Sequence, residues 1–172
     1  MRVRLLHAEE LPPGLVRGVL EGLPPPWTAG GTVEVPIRFA DFYDRPRAQH
    51  DAASLLEAVP VPPRGESHVL LTALDLFVPA LTYVFGLSHL GGFRSVLSFA
   101  RLKPPLPEPE AAHVLARRLD VEVAHELGHS AGLVHCPVPD CPMHRSLWPE
   151  TIDLKNAVYC PACRQALDGL VG

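Results

Sequence analysis

Residues 125–135 read His-Glu-Leu-Gly-His-Ser-Ala-Gly-Leu-Val-His, and no other stretch restricts the fold of this chain so closely. Residues four apart lie one above the other on the same helical face, so His125 and His129 meet at one point only if the stretch is helical. Gly132 marks where that helix stops, because a left-handed C-terminal turn needs a positive φ that glycine adopts without a Cβ penalty. The bend behind it brings His135 back toward the same point. Three imidazoles can then hold a zinc ion and leave a fourth position for water, the mark of a catalytic rather than a structural site. Glu126, offset by one residue, stands beside the metal and is free to act as a base. Five fixed positions over roughly 160 starting points give about one chance in 20,000 of the full pattern arising at random.

Upstream, strand and helix signals alternate. Arg2–His7 is a short apolar strand. Pro12–Leu23 has Leu15, Val16, Val19, Leu20 and Leu23 at helical spacing, with two prolines suited to its first turn. Pro24–Gly31 reads as a loop, and Thr32–Phe39 alternates as a half-buried strand in which Pro36 suits an edge or a bulge. Arg47–Val59 is a second amphipathic helix, and Pro60–Gly65 a surface connection. Val69–Asp75 is apolar almost throughout, as a central strand covered on both faces should be. Leu81–Leu87 and Phe93–Leu102 follow as a hairpin around Gly91-Gly92. The βαβαβ start predicts parallel pairing with right-handed crossovers. The hairpin then adds one antiparallel edge to a twisted, mostly parallel, five-stranded sheet of an α/β (α+β) protein. After Pro104–Pro109, Glu110–Gly132 is a long helix, apolar nearly all round in its later turns and so buried. A loop-like stretch leads to a last short helix within Cys160–Val171.

At 172 residues the chain suits one domain. The expected division is residues 1–132, ending in the active-site helix, and a smaller portion over residues 133–172. A net charge of −4 with no Lys/Arg cluster argues against a nucleic-acid partner. No apolar run is long enough to span a membrane, and the first residues lack the apolar segment of a secretory signal. A cytoplasmic monomer is the expectation. All four cysteines, Cys136, Cys141, Cys160 and Cys163, fall near the C-terminus. In a secreted protein they would suggest two disulfides; in a reducing compartment their x4 and x2 spacings read as a tetrathiolate zinc site. The remaining histidines, His7, His50, His68, His89, His113 and His144, have no partner at ligand spacing and are read as surface or core residues.

The combined string HExxHxxGxxHC-x4-C-x-M-x16-C-x2-C resembles the archaemetzincin family of metzincin zinc metalloproteases. Asp75-Leu-Phe-Val-Pro79, Tyr83-Val-Phe-Gly86 and Ser98-Phe-Ala-Arg-Leu102 look like that family's segments ahead of the active-site helix, so the likeness runs at least from Val69 to Cys163. The resemblance implies a metzincin-like fold and two zinc ions. One would be catalytic on His125, His129 and His135, with Glu126 as general base. The other would be structural on the four cysteines. Met143 would form the apolar Met-turn beneath the catalytic ion. Two departures stand out: the loop between the methionine and the second cysteine pair is one residue short, and Arg145 occupies the place where some metzincins carry a tyrosine ligand. Adjacent residues of extended backbone point to opposite sides, so His135 can face one ion while Cys136 faces the other.

The function expected is hydrolysis of a peptide or protein substrate, which the resemblance implies is bound as an extended strand along the sheet edge near Leu81–Leu87. Two other readings carry less weight. A non-catalytic zinc-binding interaction module would have no use for an intact Glu126. A zinc-ribbon-like nucleic-acid binder fits poorly with the acidic balance.

Overall fold

The computed structural model describes all residues 1–172. Its elements are, in order, β1 (Arg2–His7), α1 (Pro13–Glu21), β2 (Thr28–Glu34), a 3-10 turn (Phe39–Phe42), β3 (Tyr43–Asp44), β4 (Gln49–Asp51) and α2 (Ala52–Ala58). Then come β5 (Glu66–Thr72), β6 (Leu76–Phe77), β7 (Gly86–His89), β8 (Arg94–Ser98), α3 (Glu110–Ala131), α4 (Pro149–Ile152) and α5 (Pro161–Val171). The main sheet has the order β2-β1-β5-β8-β7. All its pairings are parallel except β7 with β8, so the antiparallel strand is an edge, as expected. No helix is long and apolar enough to cross a membrane.

Alternation along the inner strands divides the core in two. Val3, Leu5, Val69, Leu71 and Leu97 face one side, where α1 and α3 pack on them. Leu6, Leu70 and Val96 face the other, against Leu55 and Leu56 of α2. On the α3 side two small polar residues interrupt the apolar rows. Ser67 Oγ donates to the Phe93 carbonyl, and Ser95 Oγ lies 3.4 Å from the Glu126 carbonyl. Their size lets α3 lie close to β8 and β7, which sets the catalytic-helix residues against the sheet edge.

Boundaries differ from the sequence reading where tertiary partners override local composition. The second strand runs over Thr28–Glu34, four residues earlier than the alternation predicts, and takes in Gly30 and Gly31 from the supposed loop. A Cβ on Gly30 would lie 2.7 Å from the Val3 carbonyl, so the glycine allows close approach to β1. Pro36, without an N–H, lies beyond the paired residues. The second helix is shortened because Gln49–Asp51 pairs with β3 and β6 in a small three-stranded sheet. Asp51 then caps α2, its Oδ1 accepting from the backbone of Ala53 and Ser54. The third strand starts three residues sooner than predicted, at Glu66. Leu81–Leu87 yields regular strand only from Gly86, and the residues before it form the wall of a cleft.

Candidate active site

Helix α3 carries the first two histidines. Thirteen of its 22 residues are buried, among them Leu119, Val123, Leu127, His125 and Glu126, so packing fixes its rotation. It ends at Gly132 with φ 115° and ψ 2°, and the Gly132 N–H bonds back to the His129 carbonyl at 2.9 Å. The Leu133 N–H reaches the Gly128 carbonyl at 2.9 Å. This left-handed stop is the bend the sequence requires, and it turns Val134 and His135 back along the helix.

The three imidazoles converge. Ring centroids lie 4.5 Å (His125–His129), 5.4 Å (His125–His135) and 4.9 Å (His129–His135) apart, and one ring nitrogen from each lies within 4.8 Å of the others. His125 Nδ1 donates to the Pro142 carbonyl at 2.6 Å, and His129 Nδ1 to the Leu133 carbonyl at 2.8 Å. A carbonyl oxygen can only accept, so each Nδ1 carries its ring's proton and each Nε2 presents a lone pair. Those two Nε2 atoms stand 3.1 Å apart with no proton to share in the neutral rings. Two ligands of a tetrahedral zinc with Zn–N of about 2.0–2.1 Å lie about 3.3 Å apart. The donor set therefore fits a divalent metal and little else. Burial lowers the pKa of all three, His125 to about 3, which keeps them in the neutral form that ligation needs.

Glu126 is 4 % exposed and lies against β7. Its Oε2 accepts from Ser88 Oγ at 2.5 Å, and the same hydroxyl lies 2.8 Å from the Glu126 carbonyl. A Cβ at Gly86 would sit 2.6 Å from Glu126 Oε1, so glycine there leaves room for the carboxylate. Burial pushes its pKa up to about 8, opposed by the Ser88 hydrogen bond and assisted by Glu122. Met143 is fully buried, and a Cβ on Gly128 would overlap its sulfur. The helix thus rests on the methionine where it carries the histidines.

The four cysteines form a second cluster, with ligand atoms within 4.8 Å of one another. All are free thiols, and Cys136 Sγ and Cys160 Sγ lie 3.8 Å apart. Sulfurs on a tetrahedral zinc with Zn–S of about 2.3 Å are separated by about 3.8 Å, so this set fits a structural zinc rather than disulfides. His135 belongs to one cluster and the neighbouring Cys136 to the other, the opposite facing expected of extended chain. His144, read from sequence as a bystander, donates from Nδ1 to the Cys136 carbonyl at 2.9 Å.

A cleft of about 750 Å³ opens over the histidines, bounded by Leu81–Ser88 on one side and Arg145–Trp148 on the other. The free edge of β7 lies along it. Ser88, Gly86 and the Pro142 and Leu133 carbonyls are functional parts that motif reading does not reach, since they act through tertiary contact. Glu122 also lines the cleft. Its signal was present: one acid inside the apolar run Val121-Glu-Val-Ala124, a turn ahead of Glu126.

A buried helix with two histidines, a glycine bend, a third histidine and a carboxylate at a sheet edge defines a zinc-metallopeptidase type of centre. The model of peptidase family M54 matches residues 64–169, and the chain belongs to that family. It is 31% identical to the archaemetzincin of Natronomonas pharaonis over 97% of this chain and 99% of that one. Its fold is similar to that of an archaemetzincin from Methanopyrus kandleri, with TM-score 0.84, 26% identity, and 99% and 95% of the two chains covered. It is also similar to a zinc-dependent peptidase from Methanocorpusculum labreanum, with TM-score 0.78, 27% identity, and 96% and 99% covered.

Proposed function

We propose that this chain hydrolyses peptide bonds with Glu126 as general base, at a centre where His125, His129 and His135 hold a catalytic zinc. The carrying observation is the pair of Nε2 lone pairs aimed at one point beside a buried carboxylate. Zinc held there would supply Lewis-acid chemistry, making water ionise near pH 7 and polarising the peptide carbonyl. The ion's charge would also bring the pKa of Glu126 back down, so that the carboxylate takes the proton of the attacking water and returns it to the leaving amine. Ser88 holds the carboxylate in register, and the free edge of β7 offers backbone donors and acceptors to an extended peptide or protein substrate. Met143 supports the helix from below.

The second ion in this reading is structural, held by Cys136, Cys141, Cys160 and Cys163. It joins the stretch Cys136–Cys141 to the stretch Cys160–Cys163 within residues 133–172. Four thiols gathered at metal-ligand separations favour a reducing compartment such as the cytoplasm. A digest of a peptide library tests the activity: cleavage that a chelator abolishes and zinc restores supports the reading. Cleavage at full rate by Glu126→Ala protein would overturn the role of the base.

A further inference from the structure

We propose that Glu122 and Ser146 form a subsite in the cleft that binds a cationic group of the substrate next to the scissile bond. The inference rests on the peptidase reading and goes beyond it, because it names the class of peptide the cleft prefers.

Three buried side-chain polar atoms lack a hydrogen-bond partner: His50 Nδ1, Glu122 Oε1 and Ser146 Oγ. Two of the three, Glu122 Oε1 and Ser146 Oγ, belong to residues that line the cleft. Buried polar atoms are nearly always satisfied, and an orphan one costs about 1–3 kcal/mol. Both residues border one cavity, and a ligand seated there with N–H donors would complete them. Glu122 is 3 % exposed and precedes His125 by three residues and Glu126 by four. It therefore shares their helical face about one turn, or 5.4 Å, nearer the start of α3.

The nearby cation inside the protein does not complete it. Lys155 is buried, but its ammonium donates to the carbonyls of Pro142 and His144 and forms no ion pair with Glu122. Burial dominates both groups, raising the pKa of Glu122 and lowering that of Lys155, as it does when two charges stand too far apart to offset desolvation. The cleft's own cationic side chain, Arg145, is exposed. An acceptor pair of carboxylate and hydroxyl suits a group rich in N–H donors: the guanidinium or ammonium of an Arg or Lys side chain, or a free α-ammonium.

The test is binding of peptidyl hydroxamates to the zinc-loaded protein, with arginine, norleucine or glutamate on either side of the zinc-binding group. Each is made with a free and an acetylated N-terminus. A charged hydrogen bond at a buried acceptor predicts at least about tenfold tighter binding of the arginine or the free-amine probe than of its neutral counterpart. The arm that shows the preference identifies which cation the subsite reads. Glu122→Gln should collapse the ratio to near unity, and Glu122→Asp should retain part of it. Ser146→Ala should weaken it. Probes that bind without charge preference, or a preference that survives in Glu122→Gln protein, would overturn the subsite alone. Failure of every probe to bind would remove the peptide cleft itself, and both readings with it.

Discussion

At the scale of single residues, the carboxylate and the imidazoles are held by different parts of the fold. Glu126 is confined by Ser88 and Gly86 on the neighbouring strand, while the histidines are oriented by main-chain carbonyls. Glu126→Gln should keep the zinc and lower turnover by about 10²–10⁴-fold, measured as kcat beside metal content. Ser88→Ala should lower kcat by roughly tenfold with little change in zinc, since it removes a hydrogen bond to a charged acceptor. Glu122 makes a pH-dependent contribution of its own. Burial lifts its pKa from 4.5 to about 7, so the folded state holds its proton more tightly than the unfolded chain. The stability it contributes is complete below about pH 4.5 and falls as the pH rises toward 7. Denaturant titrations across that window should show the wild type losing stability relative to Glu122→Gln protein; parallel curves would contradict the assignment. The histidines and Glu126 were legible from spacing alone. Ser88 was not, because nothing in a strand sequence says which hydroxyl will meet a helix 38 positions away.

At the scale of elements, the long helix and its stop make the centre. Leu119, Val123 and Leu127 fix the rotation of α3 against the sheet, and Gly132 fixes where the chain turns. Gly132→Ala would force a Cβ into positive φ, costing about 1–2 kcal/mol. Nothing lies closer than 3.7 Å to that Cβ, so the cost is conformational rather than steric. Because the same turn delivers His135, the variant should also bind zinc more weakly, checked by chelator competition beside a melting curve. This helix was readable to within a residue, since a buried amphipathic run with a glycine stop leaves little choice. The strand at Thr28–Glu34 was misplaced because its glycines were read as loop, whereas they permit an edge strand to approach β1. The small sheet around Gln49–Asp51 was invisible for a different reason: strands of two or three residues are defined by partners, not by pattern.

At the scale of the whole molecule, the question is what fastens residues 133–172, whose Leu133, Cys141, Met143, Ile152, Tyr159 and Leu167 already pack into the larger core. Polar ties add to that packing. Arg118 on α3 makes a two-pronged ion pair with Asp153 at 2.9 and 2.7 Å. Tyr159 donates to the Ala124 carbonyl at 2.6 Å and accepts from Trp27 at 3.0 Å. Within residues 133–172 the cysteine cluster holds the two ends together, and a bound zinc there would contribute on the order of 10 kcal/mol of apparent folding free energy. Cys160→Ser should therefore lower the melting temperature by many degrees and disturb the histidine site as well, since Cys136 and His135 are neighbours. A spectroscopic titration of the histidine site with cobalt in that variant would show weaker binding. The cysteine cluster was legible from its spacings; the Arg118–Asp153 and Tyr159 ties were not, because they join residues 35 and 132 apart through the fold.

The account stands on three imidazoles sharing one metal ion, and counting zinc per chain by mass spectrometry in wild-type and His129→Ala protein tests that most directly. Two zinc ions in the wild type and one in the variant is the predicted result. A variant that keeps the wild-type count would show that His129 is not needed to hold an ion, and the three-histidine centre would go with it.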